Sequence, residues 1–104
     1  MKQDGLDKIT VYVDKEIEPL MGDFIIGRKD NCQQLQRAID EKNFSDIKKI
    51  GHILAGVCGG YGFYDLGKLG EEIENYARLE DLEKIINIHF RIKDYLEKVD
   101  IVYT

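Results

Sequence analysis

Residues 43–62 read NFSDIKKIGHILAGVCGGYG, and their spacing predicts one amphipathic helix with clear ends. Asn43 is a good N-cap, and Asp46 lies in the first turn, beside the positive end of the helix dipole. The glycine cluster at 59–62 is expected to end the helix. One face of the helix is apolar, because hydrophobic residues recur at helical spacing: Phe44, Ile47, Ile50, Leu54, Val57 and Cys58.

Three further helices are predicted around this segment. One begins at Leu20, a second runs through residues 63–77, and a third runs from Leu82 to Val99 after a break near residues 78–81. Short connections favour antiparallel neighbours. The predicted fold is therefore all-α, an up-down antiparallel four-helix bundle that forms a single domain over residues 14–104.

Residues 1–13 are predicted to form an N-terminal arm. Ile9–Val13 (ITVYV) is β-prone, but no second strand is evident in the sequence to pair with it. We therefore expect an extended arm that packs on the bundle. Asp14 is expected to cap a short helical turn, with Pro19 near the start of the first long helix.

The composition restricts the function. The chain has 104 residues, 15 Lys and Arg against 20 Asp and Glu, and a net charge of −5. This acidic balance argues against a nucleic-acid-binding surface. No apolar run approaches the roughly 20 residues that cross a bilayer, and the first residues lack a signal-peptide pattern. We expect a cytoplasmic protein without membrane contact, in which Cys32 and Cys58 are reduced core thiols.

The two histidines fall on different faces of their helices. With about 100° per residue and Ile47 at zero, His52 lies at about 140°, away from the apolar stripe. Gly56 and Gly59 lie near it, on the same exposed face, where helical glycine costs about 1 kcal/mol relative to alanine. Close approach of another molecule would explain these glycines. The alternative is equally open: His52 is an ordinary polar surface residue, and the glycines mark a loose helix end.

His89 falls inside the apolar stripe of the last helix, so we expect a hydrogen-bonded core residue rather than a functional one. Two histidines on different kinds of face and two distant cysteines do not make a ligand set. No metal site is predicted, and no cofactor is expected in this chain.

Residues 51–75 read GHILAGVCGGYGFYDLGKLGEEIEN, and this segment resembles the signature of histidine phosphotransfer (HPt) domains, which include the phosphorylatable domain of chemotaxis-type histidine kinases. The family pattern is a His followed at defined spacings by a Lys, two Gly, a Leu and an acid or amide. Every position matches except Ala55, where the family has Lys. The similarity in helix order extends over most of the chain. The matching positions are His52, Gly56, Gly62, Leu66 and Glu74.

The resemblance implies a phosphocarrier rather than a turnover enzyme. His52 would be the phosphoacceptor, and Glu74 would orient its imidazole. Gly56 and Gly59, with Ala55, would give clearance for docking. The implied partners are receiver domains of response regulators or of hybrid histidine kinases, which would bring their own Mg²⁺. A monomer is expected.

Ala55 removes the positive charge that the family places beside the phosphate. Lys48 and Lys49 are candidate charge partners in its place, although both also fit as solvated helix lysines. The absent lysine favours an alternative function, a non-phosphorylated HPt-like module that sequesters receiver or kinase domains, whereas His52 argues against it. An unrelated oligomerisation bundle is disfavoured by the lack of a long heptad seam.

Overall fold

Four long helices account for most of residues 8–104, the part of the chain that the computed structural model describes. A short strand precedes them and another follows them. Short 3-10 helices lie at Lys15–Leu20 and Gly59–Tyr61. The helices and strands, in chain order, are β1 (Ile9–Val13), α1 (Met21–Asp40), α2 (Phe44–Cys58), α3 (Tyr64–Arg78), α4 (Leu82–Lys98) and β2 (Val99–Tyr103).

The helices form the predicted up-down bundle. Each helix contacts chiefly the one before and the one after it, α4 closes the ring against α1, and the α2–α3 contact is the most extensive. The apolar faces meet in a single core, which confirms the four predicted periodicities. Leu20 is an exception, because it precedes α1 and is half exposed. The largest fully buried side chains are Phe63, Leu35, Ile47, Leu54, Leu66, Ile73, Ile85, Ile92, Val13 and Cys58.

Two connections between helices have the same construction. Two residues after the ends of α1 and α3 the backbone is left-handed, at Lys42 (φ 53°) and Glu80 (φ 54°). The next backbone N–H in each case bonds back to a carbonyl five residues earlier, as in a Schellman motif. That same residue, Asn43 or Asp81, then caps the following helix by accepting from a backbone N–H three residues on. The predicted cap at Asn43 and the predicted break before α4 are confirmed.

The prediction that Ile9–Val13 has no partner strand is wrong. β1 pairs with β2 in a two-stranded parallel sheet, with Ile9 opposite Val99 and Val13 opposite Tyr103. The expected continuation of the last helix to Val99 is also wrong. Val99 is extended (φ −66°, ψ 133°), as β-branched residues favour. The part of the predicted arm before residue 8 lies outside the described residues.

The described part of the predicted arm is anchored on the bundle. Val11 and Val13 are buried in the core while the residues between and before them are more exposed, the alternation of a strand with one covered face. Asp14 then accepts a hydrogen bond from the backbone N–H of Glu16 at 2.8 Å and starts the 3-10 turn before α1, as predicted.

Candidate functional site

His52 projects from the outer face of α2. Its side chain is 76% exposed, which confirms the position expected from the helical spacing. Ile47, Leu54 and Cys58 are fully buried on the other side of the same helix. Because these three residues hold the rotation of α2 about its axis, the imidazole has to face outward.

Glycines bring α3 against α2 next to this histidine. A Cβ atom at Gly51 would lie 2.7 Å from the backbone nitrogen of Glu74, and one at Gly70 would lie 2.7 Å from the backbone nitrogen of Ala55. No side chain fits at these distances, so glycine permits the close approach of the two backbones. Hydrophobic periodicity does not predict this contact. The available signal was a glycine directly before His52 and another one turn before Glu74.

The close approach places the Glu74 carboxylate beside the imidazole. Nδ1 of His52 lies 3.4 Å from Oε1 and 3.3 Å from Oε2 of Glu74, slightly beyond the usual limit of about 3.2 Å for an N–H···O hydrogen bond. The Glu74 side chain is only 17% exposed. An N–H at Nδ1 can donate to this carboxylate, which leaves Nε2 of the ring with its lone pair.

Arg78, which the apolar pattern of the sequence does not single out, also contacts Glu74. Its Nη2 donates to Oε2 of Glu74 at 3.2 Å, and its Nη1 donates to Oδ1 of Asn75 at 2.8 Å. Arg78 lies one helical turn after Glu74, the spacing at which side chains on one helix meet. This spacing is a signal in the sequence, but the predicted break near residues 78–81 places Arg78 outside α3, whereas α3 extends to Arg78.

An open hollow of about 490 Å³ surrounds the ring of His52. Lys48 and Lys49, both exposed, line it on the preceding turn of α2, so the two predicted charge partners lie close to the ring. Ile53 contributes an apolar wall and is 44% exposed. The complete lining is Ser45, Lys48, Lys49, His52, Ile53 and Glu74.

The small residues after His52 leave α2 accessible. A Cβ atom at Gly56 or Gly59 would meet nothing within 4 Å among the described residues, so there is open space at both positions. Ala55 is half-buried, and its backbone faces Gly67 and Gly70 of α3. Gly62 has a left-handed backbone (φ 89°) and ends the 3-10 turn before α3, which fits the structural role expected for it.

The remaining titratable candidates lie in the core. Nε2 of His89 donates to the backbone carbonyl of Cys32 at 3.3 Å, so the predicted core role of His89 is confirmed. Burial lowers the pKa of His89 and raises the pKa of Cys58 to about 11. Cys32 and Cys58 are free, buried thiols, as expected. Residues 8–104 contain no group of three or more His, Cys, Asp or Glu side chains that could hold a metal ion.

Comparison with known proteins identifies the class. A family model described as "Hpt domain" matches residues 20–101, which covers all four helices, His52 and Glu74. The chain therefore belongs to the histidine phosphotransfer domain family, whose general function is histidine phosphotransfer in phosphorelays. No curated protein and no solved structure matches significantly. Within the described part of the chain, no helix is long and apolar enough to cross a membrane.

Proposed function

We propose that this protein carries a phosphoryl group on Nε2 of His52 and exchanges it with the aspartate of a receiver domain. The observation that supports this most directly is that the two sides of the His52 ring have different surroundings. One face is open to solvent, and Nδ1 faces the Glu74 carboxylate. A neutral imidazole with its proton on Nδ1 presents a nucleophilic Nε2 near neutral pH.

The transfer balances without a proton leaving the ring. The Nε2 lone pair of His52 attacks the phosphorus of an aspartyl phosphate, an N–P bond forms, and the P–O bond breaks with its electron pair returning to the receiver's carboxylate. The ring then carries a positive charge and keeps its Nδ1 proton. The Glu74 carboxylate stabilises that charge as it develops, which is a preorganised electrostatic contribution. The reverse step uses the same atoms.

The surface around His52 suits an acidic partner site. Lys48 and Lys49 place two positive charges on a chain of net charge −5, and local complementarity assists the encounter of charged partners. The open space at Gly56 and Gly59 admits the partner's backbone. In this proposal the protein has no cofactor of its own. The receiver domain supplies Mg²⁺, which neutralises charge on the phosphoryl oxygens.

Ala55 supports a second candidate, a module that binds receiver or kinase domains without accepting phosphate. The residue provides no charge next to the phosphoryl position, although the family pattern has a lysine there. The two candidates differ in whether His52 becomes labelled, and one experiment therefore separates them.

The experiment uses two phosphodonors on the purified protein. Phosphoramidate tests the chemistry of His52 without docking, and receiver domains from the same genome, each labelled on its aspartate with Mg²⁺ present, test the partner. The proposal expects acid-labile, base-stable label with both donors, ³¹P NMR shifts that assign it to Nε2, and no label on His52→Gln. Receivers that bind without labelling His52, together with failure of phosphoramidate, would establish the binding module instead.

Gly56→Leu separates docking from chemistry in the same assay. A Cβ atom at this position meets nothing within 4 Å among the described residues, so the leucine side chain would begin in the open space beside His52. Transfer from the receiver should become at least about tenfold slower, since one misfitted contact of about 1.4 kcal/mol has that effect. Labelling by phosphoramidate should stay unchanged. Equal transfer from the receiver to both proteins would place the docking surface elsewhere.

A further inference from the structure

The Glu74 carboxylate has two partners in the structure. Its Oε2 atom lies 3.3 Å from Nδ1 of His52 and 3.2 Å from Nη2 of Arg78. The same carboxylate group is thus held from two sides, by α2 through His52 and by the last turn of its own helix α3 through Arg78. A group that contacts both has its rotation restricted.

We propose that Arg78 is a positioning residue for phosphotransfer, which anchors the Glu74 carboxylate so that it faces Nδ1 of His52. The inference rests on the function proposed above for His52. A glutamate side chain has three rotatable bonds, so the backbone contact at Gly51 sets where Glu74 begins but not where its carboxylate points. The ion pair with Arg78 supplies that second restraint.

Arg78 is itself held in place. Its Nη1 donates to Oδ1 of Asn75 at 2.8 Å while its Nη2 donates to Glu74. Two bonds from one planar guanidinium, each to the preceding turn of α3, define its plane as well as its position. A lysine would offer one flexible point charge instead of this fork. The fixed guanidinium at the end of α3 therefore holds the Glu74 carboxylate, and the carboxylate in turn orients the imidazole of His52.

The charge of Arg78 is also suited to this place. A phosphoryl group on Nε2 adds negative charge near a carboxylate that is largely withdrawn from solvent. The guanidinium beside Glu74 offsets that repulsion, at a site where Ala55 provides no cation. Arg78 is 52% exposed, so solvent screens the effect and its expected size is modest.

The test compares Arg78→Gln and Arg78→Lys with a matched control, Arg91→Gln. Arg91 lies on α4 and faces Glu72 at 3.8 Å, so its replacement changes the net charge equally without touching Glu74. The first readout is the tautomer of His52 in the unphosphorylated protein, from long-range ¹H–¹⁵N NMR. The second is the rate of labelling by phosphoramidate.

Arg78→Gln should reduce the Nδ1–H tautomer of His52 and slow labelling roughly two- to fivefold, the range expected for one exposed ion pair. For Arg78→Lys, the tautomer population and the labelling rate should both lie between those of Arg78→Gln and the original protein. Arg91→Gln should match the original protein in both. The same tautomer population and rate in Arg78→Gln would overturn the inference while His52 still labels. An original protein that never labels would overturn the proposed function instead, and the NMR comparison would still decide the role of Arg78.

Discussion

The two histidines show how one residue type acquires opposite properties from its position on a helix. His52 is exposed and contacts a carboxylate, whereas His89 is 4% exposed and bonds to a backbone carbonyl. Burial disfavours the charged imidazolium at His89. The periodicity of α2 and α4 alone separated these cases, because a stripe of large aliphatic residues determines which side of each helix is covered.

A lysine at position 55 should prolong the life of the phosphorylated protein. Ala55 is half-buried one turn after His52, and Ala55→Lys would add a positive charge on the side where the phosphoryl group is carried. An exposed pair of charges contributes about 0.2–1 kcal/mol, which corresponds to a half-life up to about fivefold longer. The measurement is the decay of label on His52. Ala55→Gln controls for side-chain length, and equal decay of both variants would mean that charge at this position does not limit retention.

The residues of the site were predictable to different degrees. The outward position of His52 follows from helical spacing, and Glu74 was expected only through the family resemblance. Arg78 was missed for a physical reason. Its contribution depends on where the last turn of α3 ends. A hydrophobic pattern locates helix ends poorly, because the residues on both sides of a helix end are often polar.

At the scale of elements, the contact between α2 and α3 determines whether the site exists. Hydrophobic patterns predicted both helices and the faces they bury, since large side chains mark those faces. They did not predict how near the two backbones come, because Gly51 and Gly70 have no side chain to mark a face. The two helix backbones come close because these glycines have no side-chain atoms between them. A pattern of apolar side chains cannot predict that distance.

Gly70→Ala and Gly56→Ala should change stability in opposite directions. Both substitutions add a methyl group to a helix, which by itself stabilises by about 0.5–1 kcal/mol. At Gly70 the new atom would lie 2.7 Å from the backbone nitrogen of Ala55 and 2.9 Å from the carbonyl oxygen of Gly51, so one helix has to move, at a cost of about 1–3 kcal/mol.

Urea unfolding measures this difference. The Gly56→Ala protein should unfold at higher urea than the original, because nothing lies within 4 Å of its new methyl group, and the Gly70→Ala protein at lower urea. Displacement of α3 should also weaken the Glu74 contact, which NMR would detect as a changed ring environment of His52. Two variants of equal stability would mean that the helices are not held this close in solution.

At the scale of the whole molecule, the parallel β1–β2 pair joins the described beginning of the chain to its end. The backbone of Thr104 donates to the carbonyl of Val13, and Lys15 donates to the carbonyl of Thr104. The sequence indicated β1 but not β2. Val99 continues the apolar stripe of α4 at helical spacing, and the pairing with a distant strand, added to the preference of a β-branched residue, gives it an extended backbone. Such long-range pairing leaves no signal within a local window of sequence.

The stability of the whole bundle should depend on pH through His89. Burial lowers the pKa of this ring in the folded protein from its ordinary 6.5, an effect that Lys93 increases and that Asp40 and the bond to Cys32 oppose. Below pH 6.5 the unfolded chain therefore binds more protons at residue 89 than the folded protein does, so the free energy of unfolding falls as the pH falls. Above that pH the contribution is constant.

The slope for one group is at most about 1.4 kcal/mol per pH unit. Urea unfolding at about pH 7.5 and about pH 5.5, above the range in which most carboxylates titrate, measures it. His89→Gln keeps a donor for the Cys32 carbonyl but cannot titrate, so its stability should decline less between the two pH values than that of the original protein. An equal decline in both proteins would assign the pH dependence to other groups and contradict the buried, neutral state of His89.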